Sequence, residues 1–154
     1  MKKITGIDRR KFLKNCGFAC LSSVGLTTVL QSCGATKLIS GNIIGDNIAV
    51  ALSDFEIKHG NETYYKKYLV IQNDVLLYPI CVYRFNEKTF TALWMRCTHQ
   101  GSELQVFGDK LQCPAHGSEF DNKGVVKNGP ADHSLRTFAI TLNENKLLIS
   151  LKAV

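Results

Sequence analysis

The sequence has no hydrophobic run long enough to span a bilayer. Its most apolar N-terminal stretch, Cys16–Leu30, has about 15 residues and is interrupted by Ser and Thr, whereas a membrane-spanning helix needs roughly 20. A transmembrane anchor is therefore the weaker interpretation of this stretch. With 154 residues, the chain also lacks the length for two large domains, and one domain with a sizeable core is expected.

Excess positive charge is absent outside the N-terminal segment. Six Lys or Arg residues and one acid, Asp8, precede Cys33, whereas the remainder of the chain has 13 basic and 12 acidic residues. Nucleic-acid binding requires basic residues clustered on a folded surface. No nucleic-acid partner is predicted.

The chain also lacks an even set of cysteines in its folded part. Three of the six cysteines lie within the first 33 residues, which leaves Cys81, Cys97 and Cys113. An odd number argues against a disulfide framework. Cys81 lies in the apolar run 75–85, where a free cysteine most often acts as a small core residue, and we assign no chemistry to it.

The first 33 residues contain two export signals in the expected order. Arg9-Arg10, followed by a hydrophobic pair and by the apolar stretch, resembles a twin-arginine export signal. This route carries proteins that fold and take up a cofactor before they cross the membrane. The residues Leu30-Gln31-Ser32-Cys33 resemble a bacterial lipobox, in which Cys33 becomes the lipidated mature N-terminus. The alternative is a short amphipathic helix with incidental cysteines.

These signals divide the chain into three parts. We predict a twin-arginine-type lipoprotein signal peptide over 1–32 and a folded domain over 48–154. Between them, 33–47 contains three glycines and no strong periodicity, so it is predicted to be a lipidated tether. The protein is therefore expected to be exported and held on the periplasmic side of a bacterial membrane by the lipid on Cys33.

The residues after the lipobox show no sustained helical periodicity and have a β pattern. Tight connections are predicted at 86–88, 108–109 and 143–145, where turn-forming residues separate apolar runs. Eight short strands in about 105 residues are typical of an all-β fold, a small antiparallel sandwich or barrel. The predicted strands are Ile48–Leu52, Tyr64–Ile71, Val75–Phe85, Phe90–Met95, Leu104–Phe107, Lys110–Gln112, Leu135–Leu142 and Lys146–Leu151.

Two matched sequence boxes contain the residues best suited to bind a metal. The first box is Cys97-Thr98-His99-Gln100-Gly101-Ser102 and the second box is Cys113-Pro114-Ala115-His116-Gly117-Ser118. Two thiolates and two imidazoles make a four-ligand site. A mononuclear zinc site accepts the same ligands in tetrahedral geometry, so counting ligands leaves zinc and iron-sulfur chemistry both open. The alternative to a metal site is a pair of ordinary turns in which the Cys and His residues are unlinked.

The two boxes resemble those of the Rieske [2Fe-2S] family, and the resemblance continues through Phe120–Phe138, which includes Gly129-Pro130. That segment is similar to the one in Rieske subunits of cytochrome bc-type complexes. The resemblance implies one [2Fe-2S] cluster per chain, bound by a cluster-binding subdomain of a Rieske-like fold. It further implies a one-electron carrier with no catalytic residue. The implied site residues are Cys97 and Cys113 on one iron, His99 and His116 on the other through Nδ1, and Ser118 as a hydrogen-bond donor to a bridging sulfide.

Four positions depart from the quinol-oxidising members of that family. Ser102 and Ala115 stand where those members have the two cysteines of an inter-loop disulfide, so this bridge is excluded here. Phe120 replaces a Tyr whose hydroxyl bonds a ligand sulfur. Gln100 replaces the Leu that often forms the quinol-docking tip.

Several functions remain open at the level of sequence. The favoured one is an exported, membrane-anchored carrier that transfers single electrons to or from a partner oxidoreductase or a quinol-linked membrane complex. A subunit of a quinol-oxidising cytochrome bc-type complex is the first alternative. A ferredoxin that supplies a ring-hydroxylating oxygenase shares the disulfide-free boxes, but it has no export leader. The alternative of another class is a structural Cys2His2 zinc module without a redox role.

Overall fold

In the computed structural model, which describes residues 10–11 and 38–152, the chain is built almost entirely from short β-strands. A 3-10 helix, Leu52–Phe55, is the single helical element between residues 38 and 152. The predicted all-β fold is therefore confirmed. The strands are β1 (Leu38–Ser40), β2 (Asn42–Ile44), β3 (Asn47–Ala51), β4 (Glu56–His59), β5 (Glu62–Tyr65), β6 (Tyr68–Gln72), β7 (Ile80–Arg84), β8 (Phe90–Trp94), β9 (Gln105–Phe107), β10 (Lys110–Gln112), β11 (Glu119–Asp121), β12 (Val126–Asn128), β13 (Thr137–Phe138), β14 (Ile140–Asn143) and β15 (Lys146–Ser150).

A central five-stranded sheet of order β1-β6-β7-β8-β13 separates two hydrophobic cores. Side chains on β7 alternate between the cores: Ile80 and Val82 pack against one, and Cys81 and Tyr83 pack against the other. Because both faces of this strand are covered, its sequence is a continuous apolar run rather than an alternating one. Cys81 is a buried core residue, as predicted.

Each core is completed by a smaller sheet. The sheet of order β14-β15-β3-β2 covers one face through residues such as Ile48 and Leu147. The sheet of order β12-β11-β10-β9 covers the other face through Leu111 and Phe120, and this second core also includes both cysteines of the boxes. The cluster-binding subdomain expected from the resemblance is thus a four-stranded antiparallel sheet packed on the central sheet.

The predicted tether is wrong for residues 38–44, which form β1 and β2. Strand β1 pairs in parallel with β6, and β2 pairs antiparallel with β3. The side-chain amide of Asn73 donates a hydrogen bond to the carbonyl of Gly41 at 2.8 Å, which fixes the junction between the two strands. Pairing of β1 with the distant β6 and of β2 with the next strand, β3, rather than local periodicity, gives this segment its structure.

Gly41 provides a test of that packing. A Cβ atom at this position would lie 2.3 Å from Cγ2 of Ile48 and 3.0 Å from Cγ2 of Ile71, both fully buried. Gly41→Ala is therefore expected to lower the free energy of unfolding by about 1–3 kcal/mol, because the core has no space for the methyl group. Chemical denaturation measures the change, with the exposed Ser40→Ala as control, expected to stay within about 0.5 kcal/mol of wild type. Equal stability of both variants would contradict the packing of β1 and β2.

Three predicted strands differ from the structure by more than one residue at an end: two are divided and one is shorter. Within Tyr64–Ile71, the backbone N–H of Lys66 leaves the β4–β5 hairpin to bond the carbonyl of Phe55 at 2.8 Å, which separates β5 from β6. In the run 75–85, only β7 is a strand, since the Asn73 side chain caps the preceding turn through the N–H of Val75. The run 135–142 divides between the central sheet and the neighbouring sheet as β13 and β14. Besides β1 and β2, strands β4, β11 and β12 were not predicted.

The predicted signal peptide and the lipidation site Cys33 lie outside the described residues. Among the residues that are described, no helix has the length and hydrophobicity needed to cross a membrane. Residues 38–152 belong to one compact unit, Thr36–Val154.

Candidate metal centre

The two boxes fold into loops with the same backbone hydrogen bonds. In each box, the N–H of the Cys donates to the carbonyl of the Ser five positions later, at 2.8 Å in both loops. The N–H of the Gly donates to the carbonyl of the Cys, at 2.9 Å in the first box and 3.0 Å in the second. Gly101 and Gly117 have nearly equal positive φ angles, +78° and +77°, a conformation that favours glycine. The two boxes are therefore similar in backbone geometry as well as in sequence.

Each loop is closed at its base by an antiparallel residue pair. Arg96 pairs with Glu103 at the base of the first box, and Gln112 pairs with Glu119 at the base of the second. The first box follows β8, and the second box joins β10 to β11. Backbone pairing at the base of each box thus fixes where its loop begins and ends.

The two cysteine side chains meet between the loops. Cys97 and Cys113 are free, each is 2% exposed, and their side chains lie close enough for each to shift the pKa of the other. Burial raises the pKa of Cys97 above its ordinary value. Burial also raises the pKa of Cys113, but hydrogen bonds from the backbone N–H of Ala115 and from Cys97 outweigh it, so the pKa of Cys113 lies below its ordinary value. Because the thiolate is the metal ligand, these contacts favour the form of Cys113 that binds metal.

The two imidazole rings form a second pair beside the thiols. The ring centroids of His99 and His116 are 5.1 Å apart and the planes are nearly perpendicular, at 86°. His99 is half-buried and His116 is exposed. The Nδ1 atom of His99 is buried and has no hydrogen-bond partner among residues 10–11 and 38–152. A buried polar atom without a partner is unusual in a folded protein, and a metal ligand bond would satisfy it.

The donor set of two thiols and two imidazoles fits a two-iron cluster. A Rieske [2Fe-2S] cluster requires only two protein ligands at each iron, with Cys on one iron and His on the other. The observed pairs, thiol with thiol and imidazole with imidazole, match that requirement.

The serine at the end of each box reaches the cysteine of the other box. Contact with the Ser118 hydroxyl opposes the burial that raises the pKa of Cys97, and contact with the Ser102 hydroxyl helps to lower the pKa of Cys113. Ser118 is fully buried and its Oγ also accepts a hydrogen bond from the N–H of Ala131 at 3.0 Å. Since Ala131 supplies the donor in that bond, the hydroxyl hydrogen of Ser118 is not used there and can be donated to sulfur.

The segment Asn128–His133 covers both boxes. The side-chain amide of its first residue donates to the carbonyl of Gly117 at 3.2 Å, and the hydroxyl of Thr98 donates to the carbonyl of its last residue at 2.7 Å. Sequence reasoning did not identify these contacts, because they join residues 11 and 35 positions apart. The Gly129-Pro130 pair within this segment was the available signal.

Comparison with known proteins agrees with this geometry. The family model described as "Rieske [2Fe-2S] domain" matches residues 50–139. The cytochrome b6-f complex iron-sulfur subunit of Cyanothece sp. strain PCC 7425 is 30% identical over 124 residues, which are 71% of this chain and 60% of that subunit. The chain thus spans less than two thirds of the length of this curated relative.

Two solved structures are also similar to this chain. The cyanobacterial plasma membrane Rieske protein PetC3 from Synechocystis PCC 6803 is 31% identical, with a TM-score of 0.48, and the match covers 55% of this chain and 86% of that protein. The quaternary ammonium Rieske monooxygenase CntA is 16% identical, with a TM-score of 0.53 over 70% of this chain and 32% of the monooxygenase. At that identity, the likeness to the monooxygenase concerns the fold alone.

Proposed function

The chain belongs to the Rieske [2Fe-2S] family, and from this premise we propose that it is an exported, membrane-anchored carrier that passes single electrons to or from a partner oxidoreductase. As a Rieske protein it binds a [2Fe-2S] cluster and transfers electrons. The observation that carries the proposal is the pair of loops with equal backbone hydrogen bonds, which bring two thiols and two imidazoles together in pairs.

We assign the cluster ligands to these four side chains. Cys97 and Cys113 would hold the inner iron, and His99 and His116 would hold the outer iron through Nδ1. When bound, the cluster supplies a one-electron redox centre whose neutral imidazole ligands give it a higher potential than four thiolates would. The exposure of His116 supports electron exchange through the imidazole edge, because this is where the site reaches the surface.

Ser118 is proposed to raise the reduction potential. Its hydroxyl is buried and oriented by Ala131, and a hydrogen bond to sulfur stabilises the reduced, more negative cluster. Ser118→Ala is expected to lower the potential by on the order of tens of millivolts, since a hydrogen bond to a charged group contributes about 1.5–3 kcal/mol, of which only the difference between redox states counts, and 59 mV corresponds to about 1.4 kcal/mol. Protein-film voltammetry measures the shift.

Two further variants complete that experiment. The exposed Ser134→Ala is the control and should leave the potential unchanged. Phe120→Tyr is expected to raise it by restoring a hydroxyl near a ligand sulfur. Unchanged potentials in both Ser118→Ala and Phe120→Tyr would mean that solvent access and loop packing, rather than these hydroxyls, set the value.

The relatives support a membrane location in general terms. One related protein is described as a plasma membrane Rieske protein and another as a subunit of the cytochrome b6-f complex. For this chain we propose attachment on the periplasmic side through lipid on Cys33, after export through the twin-arginine signal at Arg9-Arg10. The donor or acceptor is a redox partner protein or a quinol-linked membrane complex.

A second candidate function is a subunit of a quinol-oxidising cytochrome bc-type complex. The name of the relative that matches 71% of this chain favours it. Purification of the tagged protein from membranes in mild detergent distinguishes the two. A stable association with haem-containing membrane subunits would establish the complex, and isolation of the Rieske protein alone would favour the independent carrier.

Metal analysis tests the proposed function directly. We expect about two iron and two acid-labile sulfide per chain, with a Rieske-type electron paramagnetic resonance spectrum after reduction. One zinc per chain with neither iron nor sulfide would replace the proposal by the structural zinc module.

A further inference from the structure

The guanidinium group of Arg96 lies directly on the first box. A Cβ atom placed on Gly101 would lie 3.3 Å from Nε and 3.4 Å from Nη2 of Arg96. The guanidinium therefore occupies the space that a side chain on Gly101 would need. Through this contact and the backbone pairing of Arg96 with Glu103, a positive charge is held against the loop that contains Cys97 and His99.

An aromatic side chain fixes this charge in place. The Cζ atom of Arg96 lies 5.4 Å from the centroid of the Trp94 ring, within the range of cation–π attraction. A second arginine, Arg136, shares the same ring at 5.8 Å and lies over Phe138 at 4.7 Å. Its guanidinium is instead hydrogen-bonded to the carbonyl of Lys152, at 3.3 Å. Arg96 and Arg136 thus both lie near the Trp94 ring. Of these two arginines, Arg96 is the one that lies against Gly101 of the first box.

The guanidinium group of Arg96 forms no ion pair with the carboxylates of the described residues. Within the described parts of the chain, no carboxylate lies at ion-pair distance from Arg96 or from Arg136. Glu103 pairs with Arg96 through the backbone only. Arg96 therefore brings a positive charge to the first box that is not held in an ion pair, and solvent reduces its field because the side chain is exposed.

We propose that Arg96 is a tuning residue that raises the reduction potential of the bound cluster and thereby favours its reduced state. The inference rests on the proposed function, since it assumes a cluster held by the two boxes. Reduction adds one negative charge to the site, and a fixed positive charge nearby stabilises that state more than the oxidised one. Arg96 acts through its charge, and Trp94 and Gly101 provide the position.

Protein-film voltammetry of four cluster-loaded proteins tests the proposal: wild type, Arg96→Gln, Arg96→Lys and Arg136→Gln. In Arg96→Gln, we expect the equilibrium constant for one-electron reduction to fall about threefold at low ionic strength, a shift of about 28 mV at 59 mV per tenfold. Arg96→Lys keeps the charge and should recover most of the difference. Arg136→Gln is the matched control, because it removes a charge from the same tryptophan without touching the first box.

Ionic strength gives a second readout that a purely structural role would not change. The Debye length falls from about 30 Å at 0.01 M salt to about 3 Å at 1 M. The difference between wild type and Arg96→Gln should therefore shrink as salt rises, if it arises from an exposed charge.

Failure of the Arg96 proposal and failure of the proposed function give different results in this experiment. Equal potentials of wild type and Arg96→Gln at low salt, or equal shifts in Arg96→Gln and Arg136→Gln, would overturn the proposal. Equal shifts in Arg96→Lys and Arg96→Gln would also overturn it, because shape rather than charge would then be responsible. Absence of a Rieske signal in the wild-type protein would instead refute the proposed function.

Discussion

Replacing His99 or His116 by Ser is expected to abolish the Rieske-type electron paramagnetic resonance spectrum of the reduced protein. Each change removes one of the two imidazoles that lie 5.1 Å apart beside the thiol pair. The mixed ligation of a Rieske cluster, with His on one iron and Cys on the other, sets its spectrum and potential. A hydroxyl on a shorter side chain cannot reach the position of the imidazole nitrogen, so the outer iron loses a ligand.

A third histidine near the site is the matched control for this experiment. His133 lies in the segment that covers both boxes, but its side chain is exposed and interacts with Asp132. Its backbone carbonyl, which accepts the hydrogen bond from Thr98, remains in the variant. His133→Ser should therefore keep the spectrum, with iron and sulfide contents equal to those of the wild type.

The double variant His99→Ser/His116→Ser gives the decisive outcome. We expect loss of the Rieske spectrum together with a large fall in bound iron. If the variant without both imidazoles retained the spectrum, the ligand assignment would be wrong. If His133→Ser lost it as well, the effect would reflect damage to the covering segment rather than loss of an iron ligand.

The candidate site could be predicted from sequence because the residues that form each of its loops lie within six consecutive positions. Each box has its Cys, Gly and Ser at the same spacing, and that spacing determines a loop closed by two backbone hydrogen bonds. The Cys and His of a box are therefore neighbours in the chain as well as in space. The meeting of Cys97 with Cys113, in contrast, depends on β9, β10 and β11 pairing as one sheet.

Features that depend on distant pairing could not be predicted. Strand β1 has three residues, and its pairing partner β6 lies about 30 positions later, so no local pattern indicates it. Strands β11 and β12 are also three residues each, too short for an alternating pattern to be distinguished from a loop. The position of Arg96 over Gly101 depends on a positive φ angle and on the Trp94 ring, neither of which a sequence window contains.

Cys33→Ala is expected to move the protein from the membrane to the soluble fraction. A single acyl chain binds a bilayer only marginally, and stable attachment requires more than one, so the diacylglyceryl group of a lipobox cysteine would supply the main anchoring energy. Loss of this group should reduce the membrane-bound fraction more than tenfold and abolish incorporation of radiolabelled fatty acid. Cys16→Ala and Cys20→Ala are matched controls in the predicted signal peptide and should leave both measurements unchanged.

Replacing both Arg9 and Arg10 by Lys tests export separately from anchoring. The twin-arginine signal depends on the arginine pair, and we expect this variant to accumulate in the cytoplasm as a precursor, whereas Cys33→Ala should still be exported. Because lipidation at a lipobox follows export, the precursor should also carry no fatty acid. Membrane retention of Cys33→Ala after a high-salt wash would contradict lipid anchoring and would favour an uncleaved leader helix as the attachment.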